Sequence, residues 1–311
     1  MTRKHLVSGA VILIKLCISI LLIYWITRQV EFRQFGRFAK ENIGSLAIVL
    51  GVAFVLWAVE FLRFLILCRQ GGLLQPIRQI LNVFFVGFSL RFVLPGSQGE
   101  VGKMLFIRGK PSQRIAVYVI EKVAFIFTVL FCVGISIWIV FPAYLWIGVI
   151  LTLLLILSQF LWKGIAKWPV VKKYLSARLR KRRIFLLQSG FSLIHLGIVI
   201  FQYWIFLHVY NISPIELGGI VSLVLAAIMI PISFAGLGVR ESVALTLLQP
   251  YGVAANVGVG VPLLVFVVNV VLPAIIGIII FLSQRMKIEG PSDLPEDQQE
   301  YTSLEEILLK L

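Results

Sequence analysis

The sequence predicts an all-α polytopic membrane protein, with about six full transmembrane helices plus two Pro/Gly-broken re-entrant hairpins, eight segments in all, in an inverted repeat. Three observations predict it. Of the 311 residues, 59% are apolar and 14% charged, where soluble domains have about 45–50% and about 25%; the mean hydropathy is +0.99. Six segments reach the roughly 20 apolar residues that a spanning helix needs. Two further apolar runs stop short at a proline. This composition excludes an ordinary cytosolic enzyme, a disordered chain, a coiled coil and a disulfide scaffold. Cys17, Cys68 and Cys132 all sit in apolar stretches without metal-ligand spacing and read as small hydrophobes. Lys and Arg outnumber Asp and Glu by 29 to 14. In a chain this apolar, the anionic bilayer surface is a nearer partner for that charge than nucleic acid.

Taken in order, the six spans cover roughly 6–27, 44–67, 115–140, 143–162, 184–208 and 256–284. The first follows Arg3, Lys4 and His5; it is too long for a signal peptide and lacks a small-x-small cleavage site, so it reads as a retained signal anchor. Basic residues crowd 68–114, which carries seven, and 163–183, which carries nine. Placing these loops in the cytoplasm puts both termini inside. Arg28, Arg33, Arg37 and Lys40 then face outward, against the rule. The membrane domain spans 1–287. Residues 288–311, acidic and carrying Pro291 and Pro295, read as a flexible tail.

Two regions are not simple spans. The run from Ile80 to Leu94 breaks at Pro95-Gly96 and continues through Gly99-Glu100-Val101-Gly102-Lys103; the run from Gly218 to Ile230 breaks at Pro231 and continues through Gly236-Leu237-Gly238-Val239-Arg240-Glu241. Each first half is too short to cross comfortably, the pattern of a re-entrant hairpin. Two ordinary spans with a proline kink, giving eight crossings, are the alternative. Pro95, Gly99 and Gly102 are the backbone hinges of one hairpin, and Pro231, Gly236 and Gly238 those of the other. Residues 6–140 and 143–284 then share one layout of span, basic loop, span, broken hairpin and span. Three crossings per half invert the second copy, and paired broken segments of this kind point to a transport site near the midplane.

Ionisable groups inside a span cost at least about 2.5–3.5 kcal/mol at the bilayer centre and need partners or a purpose. Glu60 and Arg63 share a helical face and read as an internal ion pair. Glu121 and Lys122 are adjacent and point about 100° apart, so at least one faces a partner elsewhere, such as Arg91, Arg108 or Arg240. Asn269 reads as a helix-packing hydrogen bond, and His195 and His208 support no metal site. At the hairpin tips, backbone N–H groups at a helix start beside Lys103, Arg108 or Arg240 suit phosphate, and the arginine fork adds bidentate recognition. Glu100 and Glu241 hold those bases or exchange protons. Alternatively, the glycines only permit close helix packing. The candidate substrate-binding set is therefore Arg91, Glu100, Lys103, Arg108, Glu121, Lys122, Arg240 and Glu241.

The stretches from Leu94 to Lys103 and from Ile230 to Glu241, above all Gly236-Leu237-Gly238-Val239-Arg240-Glu241, resemble the lysylphosphatidylglycerol synthase transmembrane family, the flippase-like membrane domain of the multiple peptide resistance factor and of stand-alone proteins. Ile120-Glu121-Lys122 resembles the family's acidic-basic pair, and the resemblance covers about 6–284. It implies movement of anionic, aminoacylated or polyprenyl-linked lipids between leaflets, with Glu100, Glu121, Arg240 and Glu241 among the polar elements of the cavity. No aminoacyl-transferase domain follows residue 284, so lysine transfer is not expected of this chain.

The leading expectation is a lipid flippase that binds a membrane phospholipid or a polyprenyl phosphate lipid. It uses no cofactor or metal, and it does not hydrolyse ATP, since no G-x-x-x-x-G-K-[ST] loop occurs. An intramembrane lipid transferase is one alternative, against which stands the lack of any acid–base or nucleophile grouping. The other is a non-catalytic accessory subunit of an envelope glycosyltransferase or lipid-modifying complex. An envelope-biosynthesis partner or a homodimer is compatible with the chain.

Overall fold

The computed structural model describes residues 36, 38, 40–93, 101–144, 146–153, 182–230 and 236–284. Among them every regular element is helical. Helix α1 runs Ile43–Gln70, α2 Ile77–Val93, α3 Pro111–Val140 and α4 over 146–153. Beyond these come α5 Arg182–Leu207, α6 Pro214–Met229, α7 Val239–Leu248 and α8 Ala255–Phe266. A π turn at Val267–Val271 joins α8 to α9, Leu272–Gln284.

Sequence chemistry accounts for the ends. Pro111 opens α3 and Pro214 opens α6, at first-turn positions where a missing N–H costs nothing. Gln113 reaches back to accept from the Lys110 N–H at 3.1 Å. At α6 the exchange is reciprocal: Glu216 N–H donates to Ser213 Oγ at 3.2 Å, and Ser213 N–H donates to Glu216 Oε2 at 2.9 Å. The π turn follows Pro262 and precedes Pro273, and it holds Asn269.

Among the described residues, four helical runs are long and apolar enough to cross a membrane: α1, α3, α5 and the continuous Ala255–Ser283. Only 22% to 44% of their apolar windows is buried inside the protein. Phe54 and Val55 on α1, Leu193 and Ile194 on α5, and Ile278 and Ile279 on α9 are all exposed. Such continuous outward apolar surface belongs in lipid, and the protein is a membrane protein. The expected spans 44–67, 115–140, 184–208 and 256–284 coincide with these four runs. The span 143–162 is described as helix only over 146–153, and 6–27 lies outside the described residues. So do Pro95, Gly99, Glu100 and Pro231, the loop 163–181 and the tail 288–311.

The two short helices pack in a reciprocal way. Among the described residues the most extensive helix pairings are α2 against α9 and α6 against α3, so the short helix of 77–93 lies on the last run and that of 214–229 on α3. At the first interface Ser89 donates to the Ala274 carbonyl at 2.7 Å. A Cβ on Gly277 there would collide with the Phe85 carbonyl oxygen, so glycine sets how closely α9 approaches α2.

Two large apolar clusters result among the described residues. One joins α1, α5, α6, α7 and α8 around Leu56, Val199, Val221 and Leu264. The other joins the C-terminal part of α1, α2 and the start of α3 around Phe64, Phe84, Phe88 and Ile120.

Candidate functional site

Between the two clusters lies a cavity of about 390 Å³ whose lining draws on both. Each surrounding helix gives it one stripe at the three- and four-residue spacing of a helical face. These stripes are Leu56, Glu60 and Arg63 on α1; Phe84, Gly87, Phe88 and Arg91 on α2; and Tyr118, Glu121, Lys122 and Phe125 on α3. His195, Val199 and Tyr203 on α5 and Val221, Val224, Leu225 and Ile228 on α6 continue the wall. Phe266, Asn269 and Val270 close it from the last run, and Lys103 and Arg240 enter from the segments that follow α2 and α6.

The charges inside are arranged as contacts. Lys103 is buried, and its Nζ donates to both carboxylate oxygens of Glu121, at 3.0 and 2.9 Å. The same ammonium stands 4.3 Å from the centre of the Phe64 ring. Arg63 donates from Nε to Gln188 Oε1 at 3.0 Å and from Nη2 to the Glu121 carbonyl at 2.6 Å. Glu60 Oε1 lies 2.8 Å from His195 Nδ1. The Arg240 guanidinium lies 4.0 Å from the centre of the Phe266 ring. Asn269 and Gln202 exchange amide hydrogen bonds of 2.6 and 3.0 Å, and Gln202 also donates to the Val49 carbonyl at 3.3 Å.

Backbone geometry at the second tip explains its glycines. Gly236 has φ +74° and Gly238 φ +85°, values that a side chain resists. The second conformation lets Glu241 fold back so that Oε2 accepts from the Gly238 N–H at 2.8 Å. Glu241 is buried, and its Oε1 is 3.9 Å from Arg240 Nε.

Of the candidate set, the cavity gathers Arg91, Lys103, Glu121, Lys122 and Arg240. Glu241 sits behind Arg240 and does not line it. Arg108 is exposed and away from the lining; its carbonyl accepts from Gln75 Nε2 at 3.0 Å. Of the hinges, Gly102 opens the 3₁₀ turn Lys103–Phe106, and Gly236 and Gly238 shape the second tip.

One reading needs correction. The Glu60–Arg63 pair is replaced by cross-helix partners, because the cavity lets each side chain turn to a neighbouring helix: His195 for the acid, Gln188 and the Glu121 carbonyl for the base. As expected of the Glu121–Lys122 pair, Glu121 faces a partner from elsewhere: it is Lys103, brought there because the chain after α2 returns against α3. At the second tip the Glu241 carboxylate accepts from the Gly238 N–H, one backbone donor at the start of α7. Asn269 makes the helix-packing bond expected of it while also lining the cavity.

Sequence reasoning missed Tyr118, Tyr203, His195 and Glu60 as cavity groups. A signal was present. Tyr118 precedes Glu121 by three residues and Lys122 by four, and Tyr203 follows His195 by eight, so each pair shares a helix face.

Among the described residues that line the cavity, five are basic (Arg63, Arg91, Lys103, Lys122, Arg240) and two acidic (Glu60, Glu121), within apolar walls. Residues 12–277 match the family model described as the lysylphosphatidylglycerol synthase TM region. No curated protein matches the chain. With the match covering most of its length, the chain belongs to that family.

Proposed function

We propose that this member of the lysylphosphatidylglycerol synthase transmembrane family moves a lipid between leaflets by passing its headgroup through the cationic cavity. The observation that carries the reading is the convergence of Lys103 and Arg240, one from each broken segment, on a single cavity walled by spanning helices. A headgroup must shed water to cross a bilayer, and fixed buried cations replace that hydration. The apolar exterior of α1, α5 and α9 leaves the acyl chains in lipid.

In this reading the segments around 77–110 and 215–250 are re-entrant hairpins of an inverted repeat, with half-repeats 6–140 and 143–284. The reciprocal packing of α2 on α9 and α6 on α3 supports the repeat. Both termini lie in the cytoplasm of a prokaryotic cell. Transport is passive or coupled to an ion gradient, and Glu121 and Glu241 keep Lys103 and Arg240 in place. The chain acts as a transporter and not as an enzyme.

The test is transbilayer movement of labelled lipid in liposomes holding the purified chain. Wild type should speed movement of phosphatidylglycerol or a polyprenyl phosphate over empty liposomes. Arg240→Gln and Arg91→Gln, incorporated to the same level and monodisperse in detergent, should each lose most of that movement. Movement unchanged in both variants would refute the role of the cavity, and no movement with folded wild type would refute translocation.

A further inference from the structure

Resting on the translocation reading, we infer that Glu60 and His195 form a proton-binding site in the cavity wall, and that an anionic headgroup entering the cavity takes up a proton there. Position comes first. Glu60 lies on α1 and His195 on α5, each at least about 15 Å along its helix from either end. Ionisable groups at that depth in a spanning helix are costly, and they mark ion and proton pathways. The contact is close: Glu60 Oε1 stands 2.8 Å from His195 Nδ1. The Phe125 ring packs perpendicular to the imidazole, with centroids 5.6 Å apart. Yet the pair stays open to the cavity. Both residues line it, and their side chains keep 15% and 25% exposure for His195 and Glu60, so an occupant can reach them.

The chemistry follows from the ring. An imidazole nitrogen this close to a carboxylate oxygen carries a proton, which leaves the opposite nitrogen, Nε2, to gain or lose a second one. Histidine is the side chain whose ordinary range puts that change between about pH 5 and about pH 8. With Glu60 ionised, the pair is negative when Nε2 is unprotonated and neutral when it is protonated. Loading the site therefore makes the wall less negative by one charge, whatever charges the other groups carry. An anionic headgroup favours the loaded form, and the linkage is reciprocal. The headgroup binds more tightly as the pH falls, and its arrival draws in a proton.

Other ionisable groups surround the pair. Arg63 shares α1, Arg91 comes from α2, and Tyr118, Glu121 and Lys122 come from α3. Tyr203 shares α5, and Lys103 and Arg240 enter from the two tips. Among the described residues, α6, α8 and the π turn give the lining no ionisable side chain. Arginine keeps its charge across this range, so Glu121 and Lys122 are the groups from which the experiment must separate His195.

Purified full-length chain in detergent is mixed with a short-chain phosphatidylglycerol, a phosphodiester with no proton of its own to exchange near neutral pH. At an effective dielectric near 20, one unit charge about 10 Å from the occupant changes affinity about tenfold. Binding should thus be about tenfold tighter at about pH 6 than at about pH 8, and an indicator dye in weak buffer should report proton uptake on binding at about pH 7. Folded His195→Gln should lose both the pH step and the uptake. His208→Gln, whose native ring lies 3.0 Å from the Ile205 carbonyl oxygen, should keep them. A step that persists in His195→Gln would put the proton on another group and overturn the inference, as would binding that is equal at the two pH values or absent.

Should His195→Gln not fold, wild type carrying isotope-labelled histidine gives the answer. Its three histidines are told apart with His5→Gln and His208→Gln. The His195 signals should move toward the imidazolium position when lipid is added at about pH 7; signals that stay in place would overturn the inference. Lipid movement in liposomes separates the two readings. Linked binding and proton uptake with no movement would sink translocation and sustain the proton site. Movement together with pH-independent binding and no uptake would sustain translocation and overturn the proton site.

Discussion

The two broken segments use the same parts in opposite ways. After α2, the chain carries a basic residue, Lys103, into the cavity, and its acid comes from another helix: Glu121 on α3 binds Lys103 through both oxygens. After α6, the basic residue Arg240 and the acid Glu241 are neighbours. There the acid caps its own helix and the arginine rests on Phe266. The first tip is held by a long-range ion pair, the second by local backbone chemistry. The sequence distance between acid and base decides this: adjacent helical residues diverge by about 100° and cannot form a close bidentate pair, whereas residues on facing helices can.

The largest effect that would break this comparison concerns the first pair. Glu121→Ala leaves Lys103 buried beside Phe64 without its counter-ion and should cost about 3 kcal/mol or more, whereas Lys103→Met with Glu121→Met removes both charges and should come close to wild type. Glu241→Gln should cost far less, because an amide oxygen still accepts from the Gly238 N–H. Thermal unfolding of the purified variants in detergent reads all three. A Glu241→Gln loss larger than that of Glu121→Ala would reverse the assignment.

The reciprocal helix interfaces also differ. A Cβ on Gly277 meets the Phe85 carbonyl, which is backbone, while one on Gly219 at the α6–α3 contact comes 2.9 Å from Val140 Cγ2, a side-chain methyl. Gly277→Ala should therefore destabilise by about 1–3 kcal/mol, and Gly219→Ala by less. Gly197→Ala, with nothing within 4 Å of its Cβ, should be neutral or gain up to about 1 kcal/mol. Equal losses at 277 and 219 would make the two interfaces equivalent.

At the second tip, Gly238→Ala forces a side chain into φ +85° and should cost about 1–2 kcal/mol. Ser213→Ala, which removes the hydroxyl that caps α6 at 3.2 Å, should show the smallest loss, about 1 kcal/mol. Both are read as shifts in the unfolding midpoint. A larger loss at Ser213 would show that the start of α6 is held more tightly than the tip beyond its end.

Long apolar runs were the most legible feature. Lipid is a uniform solvent, so hydropathy alone located α1, α3, α5 and the run over α8 and α9, and Pro95 and Pro231 marked where α2 and α6 had to stop. Partner choice was less legible. Glu60 and Arg63 share a face at a spacing that favours a local pair, yet a cavity opens over that face and His195 and Gln188 from α5 compete successfully. Lys103 stood out as a phosphate ligand at a helix start, but its fold places it against Glu121, a contact set by how the chain returns to α3. Arg108, five residues further on, lies outside, because the 3₁₀ turn ends at Phe106 and the chain leaves the cavity before it. Such contacts depend on packing across helices, and no single-chain periodicity reports them.

The claim that lipid passes through the cavity is tested most directly by filling it without altering a charge. Leu225 lines it from α6, and Leu225→Trp places an indole in the cavity. In liposomes with matched incorporation, movement of labelled phosphatidylglycerol or polyprenyl phosphate should fall to the level of empty liposomes, while Gly197→Ala on the same assay keeps the wild-type rate. Undiminished movement in a folded Leu225→Trp would contradict the account, because the lipid would then be crossing elsewhere.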